Sequence, residues 1–91
     1  MKTVWKIPLS LASYQTVLAP FGADILCVQT QHNEPQLWVF CDPDAPKERR
    51  AFRIFGTGHD IAGDISGLTY IGTFQTDGGT QVGHLFEEGS A

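Results

Sequence analysis

Residues 53 to 61, RIFGTGHDI, hold the densest set of groups able to bind something. Four of the six cationic side chains, Lys47, Arg49, Arg50 and Arg53, fall within seven residues, and Gly56-Thr57-Gly58-His59 follows at once. Alternating glycines can turn successive backbone N–H groups into one concavity that cradles an anion. Thr57 would add a hydroxyl and His59 a donor that switches with pH, while Arg50 and Arg53 offer bidentate contacts to phosphate. The pattern is neither a P-loop nor a Rossmann fingerprint, because GxxxxGK[ST] is absent and no helical pattern follows. The competing reading is a strand-ending turn in which glycine supplies positive φ.

Further candidates lie elsewhere in the chain. Strand alternation over 50 to 55 sends Arg50 to the side of Phe52 and Ile54, and Arg53 to the side of Ala51 and Phe55. The two arginines therefore point to opposite faces of a regular strand, and Lys47-Glu48-Arg49-Arg50 reads first as a solvated charged loop. His84 alternates with Val82 and Phe86. It is a candidate ligand, against the commoner role of a hydrogen-bonded core histidine. Trp38 shares a strand face with Phe40 and is the candidate to stack on a flat base, against plain packing. Gln29, Gln31 and Gln75 add amides on strands.

Catalytic sets are missing. Ser10, Ser13, Ser66 and Ser90 sit in no nucleophile-elbow pattern, and Cys27 and Cys41 have no histidine and carboxylate beside them in sequence. Asp42 and Asp44 lack the glycine and glutamate of a calcium loop and read as turn formers. His59 and His84 lack a third and fourth ligand for zinc. The expectation is a protein that is not an enzyme, without metal or cofactor.

The elements that must position these groups are strands. No window of eleven residues keeps a helical stripe free of Gly or Pro. Strand patterns run over 3–9, 14–18, 23–31, 36–41, 49–55, 68–75 and 80–87, with turns at 32–35, 42–46, 56–59 and 76–79. The segment 23–31 sheds apolar side chains to both faces, which predicts a central strand. Six or seven short strands predict an all-β chain, an antiparallel barrel or two-layer sandwich, as one domain over 1–91 with a frayed tail at 88–91.

Composition narrows the partners. The chain has 91 residues, 42% hydrophobic and 18% charged, with ten glycines, five prolines and a net charge of −4. A balance this acidic excludes a general nucleic-acid surface, which needs many cations on one face. The N-terminus lacks an apolar signal-like run and no eighteen apolar residues occur together, so no membrane span is expected. Two cysteines in apolar runs suit free thiols and a reducing, cytoplasmic setting. So small a core favours assembly into a homo-oligomer.

The pattern also resembles a family of small phage and prophage proteins of uncharacterised function. The matching pieces are Val4-Trp5-Lys6 with Pro8-Leu9, Gly22-Ala23 with Ile25-Leu26 and Val28-Gln29-Thr30-Gln31, Leu37-Trp38 and Asp42-Pro43. They continue through Ile54-Phe55-Gly56-Thr57-Gly58-His59, Tyr70-Ile71-Gly72-Thr73-Phe74-Gln75, Gly78-Gly79 and His84-Leu85-Phe86-Glu87. The chain departs from the pattern at Ala19-Pro20-Phe21-Gly22-Ala23, where Met-Pro-x-Gly-Ala is expected, and at Gly83, where a bulkier residue is expected. The resemblance implies a phage setting in a bacterial host and a β-rich domain. Together these features point to a non-catalytic protein that sequesters a small anionic, nucleotide-type ligand to counter host defence signalling. The alternative is an inhibitor or adaptor that binds a host defence protein or a phage component.

Overall fold

Strand β4 (Glu34–Cys41) decides where the core lies. Its alternation buries Pro35, Leu37, Val39 and Cys41 on one face and leaves Gln36, Trp38 and Phe40 on the other. In the computed structural model, which describes residues 1 to 89, β4 is flanked by β1 (Thr3–Pro8) and β3 (Asp24–Gln31) in the order β1-β4-β3. A second sheet has the order β2-β5-β7-β6, from β2 (Tyr14–Pro20), β5 (Lys47–Gly56), β6 (Leu68–Thr76) and β7 (Gln81–Glu88). All five strand pairings are antiparallel. The Cα envelope measures 41 × 31 × 16 Å, thin enough for only two sheets packed face to face. The chain is thus all-β, and of the two architectures expected it is the sandwich.

Each sheet contributes half of the core. Val28, Leu37, Val39 and Cys41 face Ala19, Phe52, Phe74 and Leu85, and all eight are buried. Burying a side chain the size of Phe52, Leu37 or Leu85 stabilises the fold by about 1.5–3 kcal/mol. Gly83 lies opposite Phe74 in the β6–β7 ladder, and the Phe74 ring covers it so closely that a Cβ there would collide with the ring. Phe74 already fills the space that a side chain at 83 would take.

A polar seam joins the sheets along one side. Thr30 Oγ1 donates to the Gln75 carbonyl at 2.6 Å. Asn33 Nδ2 donates to Asp77 Oδ1 at 2.9 Å and the Asp77 N–H donates back to Asn33 Oδ1 at 2.7 Å. The β3–β4 turn is thereby fastened to the turn before β7, a three-residue 3-10 segment at Asp77–Gly79.

Four expectations from sequence are corrected. β3 is an edge strand, not a central one, because β1 takes the other side of β4; a bulge between Ile25 and Cys27 leaves Leu26 exposed. The turn expected over 32–35 contracts to His32-Asn33, both with positive φ (54° and 64°), the signature of a tight two-residue hairpin, so β4 starts at Glu34. Lys47 to Arg50 is no solvated loop. Those residues begin β5 and pair with β2 from Pro20 to Val17. Glu88, expected in the frayed tail 88–91, ends β7 and pairs with Leu68; residues 90 and 91 lie outside the described residues.

Candidate functional site

The Gly56–His59 stretch is a closed turn. The His59 N–H donates to the Gly56 carbonyl at 3.2 Å, and Gly58 takes φ 79° at the third position, as a type II turn requires. The His59 ring folds back onto Gly56, where a Cβ would stand 2.6 Å from two ring atoms. A depression of about 520 Å³ beside the turn is lined by Thr57, His59, Thr80, Gln81 and Val82, with no lysine or arginine among them. One of the turn's amides is therefore spent on the turn itself, and the arginines lie elsewhere.

Alternation along β5 separates the two arginines. Arg50 points toward the interior at the end of the sandwich, where Nε and Nη2 donate to the two carboxylate oxygens of Glu87 at 2.5 and 2.8 Å and Nη1 donates to the Ala23 carbonyl at 2.6 Å. Its side chain is 18% exposed and that of Glu87 10%. The hydrogen-bonded Glu87 carboxylate holds the guanidinium above its ordinary value, against the opposite pull of burial. Arg50 is thus committed to internal partners. Arg53 instead emerges on the outer face of the four-stranded sheet, where Nε donates to Glu88 Oε2 at 2.5 Å and the side chain remains 44% exposed.

Around Arg53 the register assembles a surface that no single segment contains. Tyr14 of β2, Arg53 of β5, Phe86 of β7 and Tyr70 of β6 stand directly opposite one another in successive ladders. The Arg53 guanidinium lies 5.1 Å from the Tyr14 ring centre, and the Tyr70 and Phe86 rings lie 5.1 Å apart. The next row holds Phe55, His84 and Thr73, with Phe55 packed edge-on to Phe86 at 5.6 Å. Imidazole and hydroxyls join there: Thr57 Oγ1 shares a hydrogen bond with His84 Nε2 at 2.6 Å, Thr73 Oγ1 shares one with Nδ1 at 3.0 Å, and Tyr70 OH shares a short one with Thr73 Oγ1.

The loop between β5 and β6 frames this face. A cleft of about 320 Å³ separates it from Arg53, Phe55, Leu68 and Glu88, with Asp64 and Ile65 on the loop side. Asp64 accepts from the Ser66 N–H and hydroxyl, both at 2.9 Å, and these bonds hold its carboxyl below the usual value.

Of the residues singled out in sequence, Arg53, Thr57 and His84 meet on one face, with Gly56, Gly58 and His59 forming the turn at its end. Arg50 leaves the group for the interior. Trp38 sits on the outer face of the other sheet, with Lys6 Nζ 5.9 Å above its ring, and so belongs to the opposite side of the sandwich. His84 is half-buried on an outer face, not in the core. Tyr14, Tyr70, Phe86 and Thr73 were missed. Alternation would put Tyr70 on the inward side with Phe74; the register shift between Tyr70 and Gly72 turns it outward, and the register then brings it and Phe86 beside Arg53.

Among the described residues no group of three or more His, Cys, Asp or Glu side chains could hold a metal ion. Cys27 and Cys41 are free, the first half-buried and the second buried. No described helix is long and apolar enough to cross a membrane. Comparison with curated proteins and with solved structures finds no match. A family model does match, over residues 1–91. The chain belongs to that family, which is described as a domain of unknown function, DUF7352.

Proposed function

We propose that this chain is a non-catalytic binding protein that captures a small anionic ligand of nucleotide type on the outer face of its four-stranded sheet. The observation that carries the reading is the in-register row Tyr14, Arg53, Phe86 and Tyr70, with Tyr14 49% and Tyr70 54% exposed. A flat heterocycle gains about 1–3 kcal/mol by stacking on such a ring. Arg53 supplies the positive charge beside it. Among the described contacts Arg53 engages Glu88 through Nε, which leaves its Nη groups for a phosphate. Thr57 and His84 complete the polar side of the face, so the site moves from the glycine turn onto the sheet.

The biological setting in this reading is capture of a host defence signal by a phage or prophage protein in the bacterial cytoplasm. It draws on the resemblance of the chain's motifs to small phage and prophage proteins. Assembly into a homo-oligomer fits the same reading, since 91 residues form a modest core and interfaces between copies deepen shallow sites.

Isothermal titration against cyclic and linear nucleotides tests it, with Tyr70→Ala and Arg53→Gln alongside the native chain. Saturable binding that both variants weaken at least tenfold supports capture; silence across the whole panel sinks it. A second reading, an inhibitor or adaptor for a protein, is favoured by one feature: β2 is an edge strand that exposes Leu18 (55%) next to Tyr14. Pull-down from host lysate separates the two. A stoichiometric protein favours the second, a small molecule released by heat the first.

A further inference from the structure

His84 is bonded at both ring nitrogens, and each bond leads to a hydroxyl on the exposed face. The chain runs from Thr57 through Nε2, the ring, Nδ1 and Thr73 to the phenol of Tyr70. Each hydroxyl has one proton to give, so the imidazole fixes the direction of its own two bonds, and Thr73, once it accepts from Nδ1–H, has its proton free for the Tyr70 oxygen.

In one neutral tautomer Nδ1–H donates to Thr73, Thr73 donates to Tyr70, and the Tyr70 O–H is left to point outward. Nε2 then accepts from Thr57, whose proton is used up. The other neutral tautomer reverses this: Tyr70 donates inward to Thr73, Thr73 donates to Nδ1, and the Thr57 O–H is the one set free. Protonation makes both ring nitrogens donors. Thr57 and Thr73 must then both accept from the ring, and the outward protons of Thr57 and Tyr70 are released together.

We infer that His84 is a specificity-determining residue whose protonation turns the outer face into one that presents hydroxyl donors at both ends of the chain, and so selects phosphate-type guests that bear only acceptors there. This rests on the outer-face reading above and adds its regulation. Capture tightens when the ring is protonated, by roughly the tenfold of one charge-assisted hydrogen bond. The groups facing His84 suit such a role. Phe55 and Thr73 lie opposite it on β5 and β6, and Val82 and Phe86 flank it on β7. The nearest charges on this face, Arg53 one row away and Glu88 two rows away, are paired with each other. On the turn and loop side the titratable groups are His59, Asp60 and Asp64.

The hydrogen-bond chain exists without a guest, so its test needs none. Tyr70 Cζ, Thr57 Cβ and the His84 ring nitrogens are followed by NMR from pH 5 to 8 in the native chain and in Thr73→Val and His84→Gln. The native chain is expected to show one midpoint shared by His84 and the hydroxyl that its neutral tautomer holds inward, Tyr70 where the proton starts on Nε2 and Thr57 where it starts on Nδ1. Thr73→Val leaves the His84 titration in place and removes the Tyr70 response, and His84→Gln removes it as well. Tyr70 and Thr57 signals that both stay flat in the native chain while His84 titrates overturn the inference, whichever way the nucleotide panel comes out. So does a Tyr70 response that survives in Thr73→Val. Should a variant fail to fold, the native titration alone decides.

Discussion

Two arginines three residues apart on β5 meet two adjacent glutamates on β7, and the outcomes differ. Arg50 and Glu87 face inward, with side chains 18% and 10% exposed, and the pair is bidentate and further tied to the Ala23 carbonyl. Arg53 and Glu88 face outward at 44% and 33%, through one nitrogen and beside an aromatic ring. The residue types are identical, so burial alone separates a structural pair from one whose guanidinium can take a guest. Screening by water makes the outer pair nearly neutral for stability, whereas the inner pair cannot lose one partner without stranding a charge.

The largest effect is expected on the inner side. Glu87→Ala leaves Arg50 without its carboxylate and should cost about 3–5 kcal/mol in urea denaturation. That approaches the whole stability of a small domain, about 5–15 kcal/mol. The double change Arg50→Met with Glu87→Leu should recover most of the loss. A Glu87→Ala chain as stable as the native one would erase the distinction between the two pairs.

Next comes the other tight feature of the interior, the Phe74 ring over Gly83. Gly83→Ala should destabilise by about 1–3 kcal/mol through overpacking, and Phe74→Leu in the same chain should relieve part of that. An unchanged melting temperature for Gly83→Ala would show that the ring has room to move. On the outer side, Arg53→Gln should shift stability by less than about 1 kcal/mol while weakening nucleotide binding at least tenfold. Its melting curve and titration, compared with those of Glu87→Ala, sharpen the contrast: one substitution loses the fold and the other only the ligand.

The smallest effect concerns the loop beside Arg53. The two Ser66 bonds hold the Asp64 carboxyl below its ordinary value of 3.8. Their contribution is present above pH 3.8 and is lost as pH falls through the lowered value. The Ser66 amide resonance should therefore shift only at the acid end, with the global fold unaffected, and in Asp64→Asn that shift should vanish.

How far sequence carried this account depends on the range of the interaction. Alternation put Trp38 and Phe40 on one strand face and sent Arg50 and Arg53 to opposite faces, because strand period is a local property. The Asx turn at Asp42 was equally local: Asp42 Oδ1 accepts from the Asp44 N–H at 3.0 Å. Strand order was not. β3 looked central from its apolar residues, yet its neighbours depend on which hairpins dock, and the bulge that exposes Leu26 leaves no mark in the pattern.

The candidate face was hidden for the same reason. Gly56-Thr57-Gly58-His59 attracted attention as a contiguous motif, but Tyr14, Arg53, Tyr70 and Phe86 become neighbours only through three separate strand pairings. Likewise Glu87 and Glu88 read as a strand end and a fraying tail until register matched them with the two arginines. Contiguity pointed to the turn; pairing across the sheet assembles the face.

The most direct test is amide and aromatic chemical-shift mapping of the native chain during titration with the nucleotide panel. Perturbations concentrated at Tyr14, Arg53, Tyr70, His84 and Phe86, with Arg50 and Trp38 undisturbed, are the predicted result. Shifts confined to the Gly56–His59 turn or to the Trp38 face, or none at saturating nucleotide, would contradict the assignment of binding to the outer face of the four-stranded sheet.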